Sequence, residues 1–194
     1  IGRIGLSTLL VGLSMAAIAS DSAQAAECLG AQLPDSAQVG GANLVLNGMG
    51  IRKATMFNVE VYVAGLYLPA KSADGAAIVA ADQPWRLELH FVRDVDASDI
   101  QDAFQDGFKT AAGDNLSALQ PRIDDLKSRM IDFAEGHVLA YSYDPSAGTS
   151  VDVNGNAGAA IEGADFAATL LAISIGPEPP NEELKSGLLG GACE

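Results

Sequence analysis

Alternating apolar and polar side chains predict β-strands in the first half of the chain. The alternation runs through residues 57–68, with an interruption at Gly65, and again through residues 85–91. A period of two gives a strand one apolar face, so each segment is expected to cover a core with that face. An apolar segment at residues 43–47 predicts a further strand, which ends at Gly48.

Between residues 100 and 130 the hydrophobic period changes to that of a helix. Apolar residues recur at spacings of three and four, which predicts two amphipathic helices. The first covers residues 100–111, and Ser98 with Gln101 fits a capping box at its start. The second covers residues 119–130, with Pro121 in its first turn.

Strands and shorter helices follow in the last third of the chain. Strands are predicted at residues 138–143 and 149–154, and an Asn-Gly turn leads into a last strand through Ile161. Helices are predicted at residues 165–174 and again after Asn181, which caps the final one. Strands and helices therefore occur in segregated runs. This order predicts an α+β fold, in which helices pack on one face of an antiparallel sheet.

The first 25 residues have the pattern of a secretory signal peptide. Arg3 precedes an apolar run at residues 6–19, too short to span a bilayer, and an Ala-x-Ala cleavage pattern ends at Ala25. We therefore expect a signal peptide at residues 1–25, one folded domain at residues 26–194, and a periplasmic or secreted location. A short buried helix at the N-terminus is the alternative.

The charge balance excludes several classes of partner. The 194 residues carry 25 acidic and 11 basic side chains, for a net charge of -14. Nucleic-acid binding needs clustered Lys and Arg, and here the basic residues are scattered. The same charge disfavours anionic lipid surfaces. No segment after residue 25 is long and apolar enough for stable membrane insertion, and the sequence predicts no oligomeric state.

Two cysteines, Cys28 and Cys193, stand near the two ends of the predicted domain. An oxidising compartment permits a disulfide and chain termini often lie close together, so the sequence allows either a Cys28–Cys193 disulfide or two free thiols. We expect no zinc site, because there is no CxxC spacing and there are only two histidines. The acidic residues 94–99 lack the glycine and glutamate of a calcium loop. No motif indicates a cofactor.

Arg52 is the basic residue with the strongest claim to a function. It follows Gly48-x-Gly50 and enters a predicted strand with apolar neighbours. A guanidinium stays charged at every relevant pH, and its planar fork can hold a carboxylate or polarise a carbonyl. The alternative is a surface arginine at a strand end. Neither His90 nor His137 indicates a Ser/His/Asp triad.

A series of short motifs follows the order seen in one known family. The motifs are Gly50-Ile51-Arg52-Lys53, residues 57–68, Phe91-Val92-Arg93-Asp94-Val95, residues 143–155, Gly163-x-Asp165-Phe166 and Leu184-Lys185-x-Gly187-Leu188. From about Gly40 to Gly190 the chain thereby resembles the chalcone isomerase-like family, and most of all its exported bacterial branch. The resemblance implies an open-faced β-sandwich: a large antiparallel sheet covered on one face by a helical layer, with the ligand cleft between them.

The resemblance also implies roles for five positions. In plant chalcone isomerases an arginine stabilises an enolate during closure of a flavanone ring, and four further polar side chains assist. Arg52 matches the arginine, but Tyr62, Ile100, Gly107 and Ile173 stand at the other four positions. Three of these side chains cannot donate hydrogen bonds. Much of the preorganised stabilisation of an enolate is therefore missing.

An arginine with a tyrosine at position 62 resembles instead the non-catalytic plant relatives that bind fatty acids. In those relatives the Arg–Tyr pair holds the carboxylate and an apolar cleft holds the chain. Arg52 and Tyr62 are ten residues apart, so an unbroken strand would put both on one face, whereas a bend near residues 53–56 would weaken this argument. Phe104, Phe108 and Ile173 are candidates for lining the cleft, although a plain core between helices and sheet requires the same pattern.

The sequence thus favours a non-catalytic binder of a small amphipathic carboxylate such as a fatty acid. An intramolecular lyase or isomerase acting on an unsaturated carbonyl compound is the alternative, and a protein that assists other exported enzymes is a third hypothesis. The predicted ligand-binding residues are Arg52, Tyr62, Ile100, Phe104, Gly107 and Ile173.

Overall fold

The computed structural model describes Gly2, residues 26–54 and residues 57–193. Apart from Gly2, the predicted signal peptide lies outside the described residues. The strands are β1 (Ala26–Cys28), β2 (Ala31–Leu33), β3 (Ser36–Val39), β4 (Ala42–Ala54), β5 (Val59–Leu68), β6 (Trp85–Phe91), β7 (Val138–Asp144), β8 (Gly148–Val153) and β9 (Asn156–Ala157). The α-helices are α1 (Gly75–Ala80), α2 (Ala97–Ala112), α3 (Leu116–Ser128), α4 (Ala164–Ile175) and α5 (Glu182–Leu188).

One large antiparallel sheet organises the domain. Strands β3 to β9 lie side by side in chain order, and β1 and β2 form a separate hairpin. The sheet curls, so that its edge strand β3 approaches β6 and β7. The helices cover one face of this sheet, and the predicted α+β fold is confirmed. None of the helices in the described ranges has both the length and the apolar character that crossing a membrane requires.

The two faces of the sheet support two separate cores. On the helix side, the strict alternation of β6 buries Trp85, Leu87, Leu89 and Phe91. On the opposite side, the β1–β2 hairpin and the curled end of the sheet enclose a smaller cluster. Its members are Cys28, Leu33, Val39, Leu44, Leu46, Met49, Ile51, Val63 and Tyr67.

A disulfide ties the two ends of the domain together. Cys28 in β1 is bonded to Cys193, which follows α5, and their Cα atoms lie 6.2 Å apart. Of the two alternatives left by the sequence, the structure has the bridged one. The bridge fastens the β1–β2 hairpin to the C-terminal end of the chain.

The strand predicted to end at Gly48 continues to Ala54, so that prediction was wrong. Strand β4 continues through Gly48 and Gly50. Glycine is required at both positions because the backbone of α5 and of the residues that follow it lies at very short range. A Cβ atom on Gly50 would lie 3.0 Å from the Leu184 carbonyl carbon, and one on Gly48 would lie 2.8 Å from the amide nitrogen of Gly190. The two glycines therefore let a helix lie directly on the strand.

Three helix details also differ from the sequence predictions. Helix α2 has Asp96 at its N-cap position and no side-chain cap, so the Ser98–Gln101 capping box was wrong; Gln101 instead donates to the Lys127 carbonyl. Pro121 lies inside α3 rather than in its first turn. Asn181 occupies the N-cap position of α5, but its side chain makes no cap hydrogen bond.

Candidate functional site

A cleft with a volume of about 560 Å³ opens between the sheet and the helices, and its lining includes residues near the β4–β5 hairpin. This volume falls in the range of small-molecule sites. Four strands supply its floor, α2 and α4 supply its walls, and the loop between α4 and α5 supplies its rim. The lining residues are Arg52, Tyr62, Leu89, Leu139, Ile100, Ala103, Phe104, Asp106, Gly107, Thr110, Ile173, Glu178, Pro179 and Pro180.

All six residues predicted to contact a ligand line this one cleft. Ile100, Phe104 and Gly107 come from one face of α2, and Ile173 faces them from α4. Phe108, offered by the sequence as a further cleft residue, is instead fully buried and stacks on Phe166 with ring centroids 5.4 Å apart. That residue belongs to the core.

Arg52 and Tyr62 are brought together by a hairpin. They are direct cross-strand partners in the antiparallel pair β4–β5. The chain does not run as one unbroken strand from Arg52 to Tyr62: it reverses between them, and the two residues lie on neighbouring strands. Arg52 and Tyr62 nevertheless lie on the same face of the sheet, since opposed residues in an antiparallel pair point to the same side.

The guanidinium of Arg52 has no acidic partner in the described part of the chain. It donates to the carbonyl of Lys53, but no carboxylate of the described residues lies within 4.0 Å of it. Arg86, Arg122 and Arg129 each make an ion pair with a carboxylate. Arg52 therefore presents a partly buried positive charge that a bound anion can neutralise.

Asn181 fixes the strand on either side of Arg52. Its side-chain amide donates to the Ile51 carbonyl at 3.0 Å and its side-chain oxygen accepts from the Lys53 amide at 3.3 Å. It thus pairs with the stretch of β4 that β3 leaves uncovered. No local sequence signal predicts this role, since an asparagine before a helix is typical of a cap.

Tyr62 supplies a neutral hydrogen-bond donor beside the guanidinium. Burial raises the pKa of its hydroxyl to about 12, although the positive charge of Arg52 acts in the opposite direction. Its ring meets Phe91 edge-on, with centroids 5.8 Å apart, which fixes the side chain against the sheet. At neutral pH the pair is therefore one cation and one protonated hydroxyl.

The remaining walls are apolar and closely packed. A Cβ atom on Gly107 would lie 2.8 Å from Cγ2 of Ile173, so the absent side chain lets α2 and α4 approach each other beside the cleft. Leu89 and Leu139 form the floor. Asp106 and Glu178 line the cleft from exposed positions, and their charge disfavours any anion held near them. An anionic head is accordingly favoured at the Arg52–Tyr62 end.

Within the part of the chain that the structure describes, neither histidine belongs to the cleft lining. His90 lies on the opposite face of the sheet, where its Nε2 is 3.2 Å from Oε2 of Glu88. The Nδ1 atom of His137 accepts from the amide of Ala134 in a turn. Among the described residues, no group of three or more His, Cys, Asp or Glu is placed to hold a metal ion.

All four tyrosines have raised pKa values, which predicts a cooperative alkaline transition. Burial raises the pKa of Tyr62 and Tyr143 to about 12, and it also raises the pKa of Tyr67 and Tyr141. Tyrosines in the unfolded chain ionise near pH 10, so stability falls as the pH rises from about 10 toward 12. We expect tyrosinate absorbance and loss of circular dichroism to appear together. Gradual ionisation at pH 10 in a folded protein would contradict this.

Comparisons with known proteins identify the architecture. A family model described as chalcone isomerase-like matches residues 25–190. No curated protein matches the chain significantly. A fatty-acid binding protein of Arabidopsis thaliana has a similar structure, with a TM-score of 0.65 and 22% sequence identity over 82% of this chain and 92% of that chain. The likeness shows that the two proteins share their fold.

Proposed function

The chain belongs to the chalcone isomerase-like family, and we propose that it is a non-catalytic binder of small amphipathic carboxylates such as fatty acids. One observation carries this proposal: an arginine without an acidic partner in the described residues and a neutral tyrosine meet at one end of a cleft with apolar walls. Arg52 and Tyr62 hold the carboxylate through charge-assisted hydrogen bonds, and the apolar chain lies between α2, α4 and the sheet.

Two further facts support binding over turnover. The Arabidopsis thaliana protein with this fold is a fatty-acid binding protein. By the family resemblance, Ile100, Gly107 and Ile173 stand where a chalcone isomerase has polar side chains, and all three line the cleft of the present chain. A developing enolate would find Arg52 and Tyr62 but no further donor among these three.

Arg52→Gln tests the proposal by fatty-acid titration calorimetry. We expect the affinity for dodecanoate to fall by roughly 10- to 100-fold, since hydrogen bonds to charged groups contribute about 1.5–3 kcal/mol each. Arg93→Gln is the matched control: Arg93 is exposed outside this cleft, so the variant removes the same charge without touching the site. Equal affinity in wild type and Arg52→Gln, or an equal loss in both variants, would contradict the carboxylate role.

The family resemblance also suggests a catalytic alternative, and this alternative can be tested directly. Arg52 in an open cleft is the group an intramolecular lyase acting on a chalcone-type substrate would retain. Cyclisation of a chalcone above the background rate, lost in Arg52→Gln and kept in Arg93→Gln, would replace the binding proposal by this one.

We also infer that the protein belongs to the exported branch of the family and acts in the periplasm or outside the cell. The support is the signal-like pattern of residues 1–25 together with the Cys28–Cys193 disulfide, a bond that persists in oxidising compartments. Fractionation of cells that express the full chain tests this location, and recovery of the unprocessed protein from the cytosol alone would overturn it.

A further inference from the structure

Tyr141 carries a buried hydroxyl group that has no hydrogen-bond partner among the described residues. The residue lies in β7, is 1% exposed, and belongs to the core between sheet and helices. Among the described residues, the buried side-chain atoms without a partner are this hydroxyl, the hydroxyl of Tyr67 and Oγ1 of Thr149. Enclosing an unpaired hydroxyl is unfavourable, and a phenylalanine would fill the same space without that cost.

The hydroxyl of Tyr141 lies next to the candidate cleft. Leu139, two residues earlier on the same face of β7, is part of the cleft floor. The ring of Tyr141 meets Phe104, a wall residue, edge-on with centroids 6.1 Å apart. Burial raises the pKa of Tyr141, and the neighbouring Tyr62 hydroxyl raises it further. The residue that carries the unpaired group therefore adjoins both the floor and a wall of the cleft.

Phe104 both contacts the Tyr141 ring and lines the cleft. It is only partly buried and is carried on α2 without a polar contact of its own. Rotation of a partly exposed side chain is fast and needs no movement of the backbone. Tyr141 is not itself part of the cleft lining, so a ligand in the cleft reaches its hydroxyl only if a side chain such as Phe104 moves.

We propose that Tyr141 is a further ligand-binding residue, and that the preferred ligand is a fatty acid with a second oxygen, a hydroxyl or keto group, on its chain. This inference rests on the proposed function, because Arg52 and Tyr62 hold the carboxylate. The second oxygen accepts a hydrogen bond from Tyr141. The ligand thereby satisfies a polar group that the protein alone leaves unpaired.

The test compares dodecanoate with its derivatives that carry a hydroxyl or keto group on the second, third or fourth carbon. We expect at least one derivative to bind the wild-type protein about fivefold more tightly than dodecanoate, the contribution of one net hydrogen bond. Tyr141→Phe should abolish this preference and leave dodecanoate binding unchanged. Tyr67→Phe is the matched control, because it also deletes an unpartnered buried hydroxyl but on the opposite face of the sheet.

The possible outcomes separate the inference from the function on which it rests. If no derivative is preferred, or if Tyr141→Phe keeps the preference, the inference fails while dodecanoate binding stands. An equal loss of affinity for all acids in Tyr141→Phe also overturns it, since Tyr141 then acts on the head group or on the fold. If none of these acids binds the wild-type protein, the proposed function itself fails. Thermal unfolding of both phenylalanine variants checks that they are folded.

Discussion

Replacing both cysteines, Cys28→Ser with Cys193→Ser, should lower the free energy of unfolding by about 4 kcal/mol. The two residues are 165 positions apart, so the bridge closes almost the whole domain into one loop. Closing a long loop restricts the unfolded chain strongly, and the stabilisation grows with loop length. Urea denaturation of the wild-type protein and the double variant measures the difference.

The disulfide should also protect one region of the fold from amide exchange more than the others. Cys28 is buried in the cluster opposite the helices, and the β1–β2 hairpin that carries it has only three residues in each strand. A two-stranded hairpin is marginally stable alone. We expect amide exchange in residues 26–33 to accelerate first in the double variant.

Ligand binding serves as the internal control for the disulfide experiment. The hairpin packs on the face of the sheet opposite the cleft, so dodecanoate affinity should stay within about twofold where the double variant is folded. Wild-type protein with reductant should behave like the double variant. If the free energy of unfolding fell by less than about 1 kcal/mol in the double variant, the unfolded chain would be already compact without the bridge.

Local patterns predicted the strands and helices whose apolar and polar residues fall on separate faces. The alternation in β6 and the helical period of α2 each report which side of one element is buried, and the structure agrees for both. The hairpin β1–β2 was not predicted, because three-residue strands contain too little periodicity. The continuation of β4 past Gly48 was missed because the reason for glycine there is a helix that arrives about 140 residues later.

The residues of the candidate site also divide into those that local patterns predicted and those that they did not. Phe104 and Phe108 are one helical turn apart with the same hydrophobic signal, yet the first lines the cleft and the second packs on Phe166. The side chains packed against each ring decide which of the two roles it has, and sequence periodicity carries no information about those side chains. The contacts of Asn181 were missed for the same reason, and so was the position of Tyr141 beside Phe104, since both depend on distant strands and helices.

The net charge of -14 bears on how a carboxylate would reach its site. A fatty-acid anion approaches against the overall field of the protein, and Asp106 and Glu178 in the cleft lining add to that repulsion. The Arg52 charge must therefore act locally, at contact distance, where screening by salt is weakest. In the proposed site, Arg52 would consequently have to be held in place by a rigidly positioned β4, and we expect the glycines beneath α5 to contribute to that positioning.

Gly50→Ala should lower the free energy of unfolding by about 3 kcal/mol, at the upper end of the range for overpacking a core. The added Cβ would lie 3.0 Å from both the carbonyl carbon and the Cα atom of Leu184. Gly187 faces the same contact from α5, and its own Cβ would lie 2.7 Å from the Cα atom of Gly50. Because backbone meets backbone, no side-chain rotation relieves the clash, and α5 must move away from β4.

The same substitution should weaken dodecanoate binding even where the variant remains folded. A displaced α5 carries Asn181 with it, and Asn181 holds β4 on both sides of Arg52. Gly158→Ala is the matched control: its Cβ would meet only the end of the Arg129 side chain at 3.1 Å and a carbonyl at 3.7 Å. We expect that control to stay within about 0.5 kcal/mol of wild type and to bind normally. If Gly50→Ala were as stable as Gly158→Ala, α5 would be free to slide on β4, and the glycines would not be what positions Arg52.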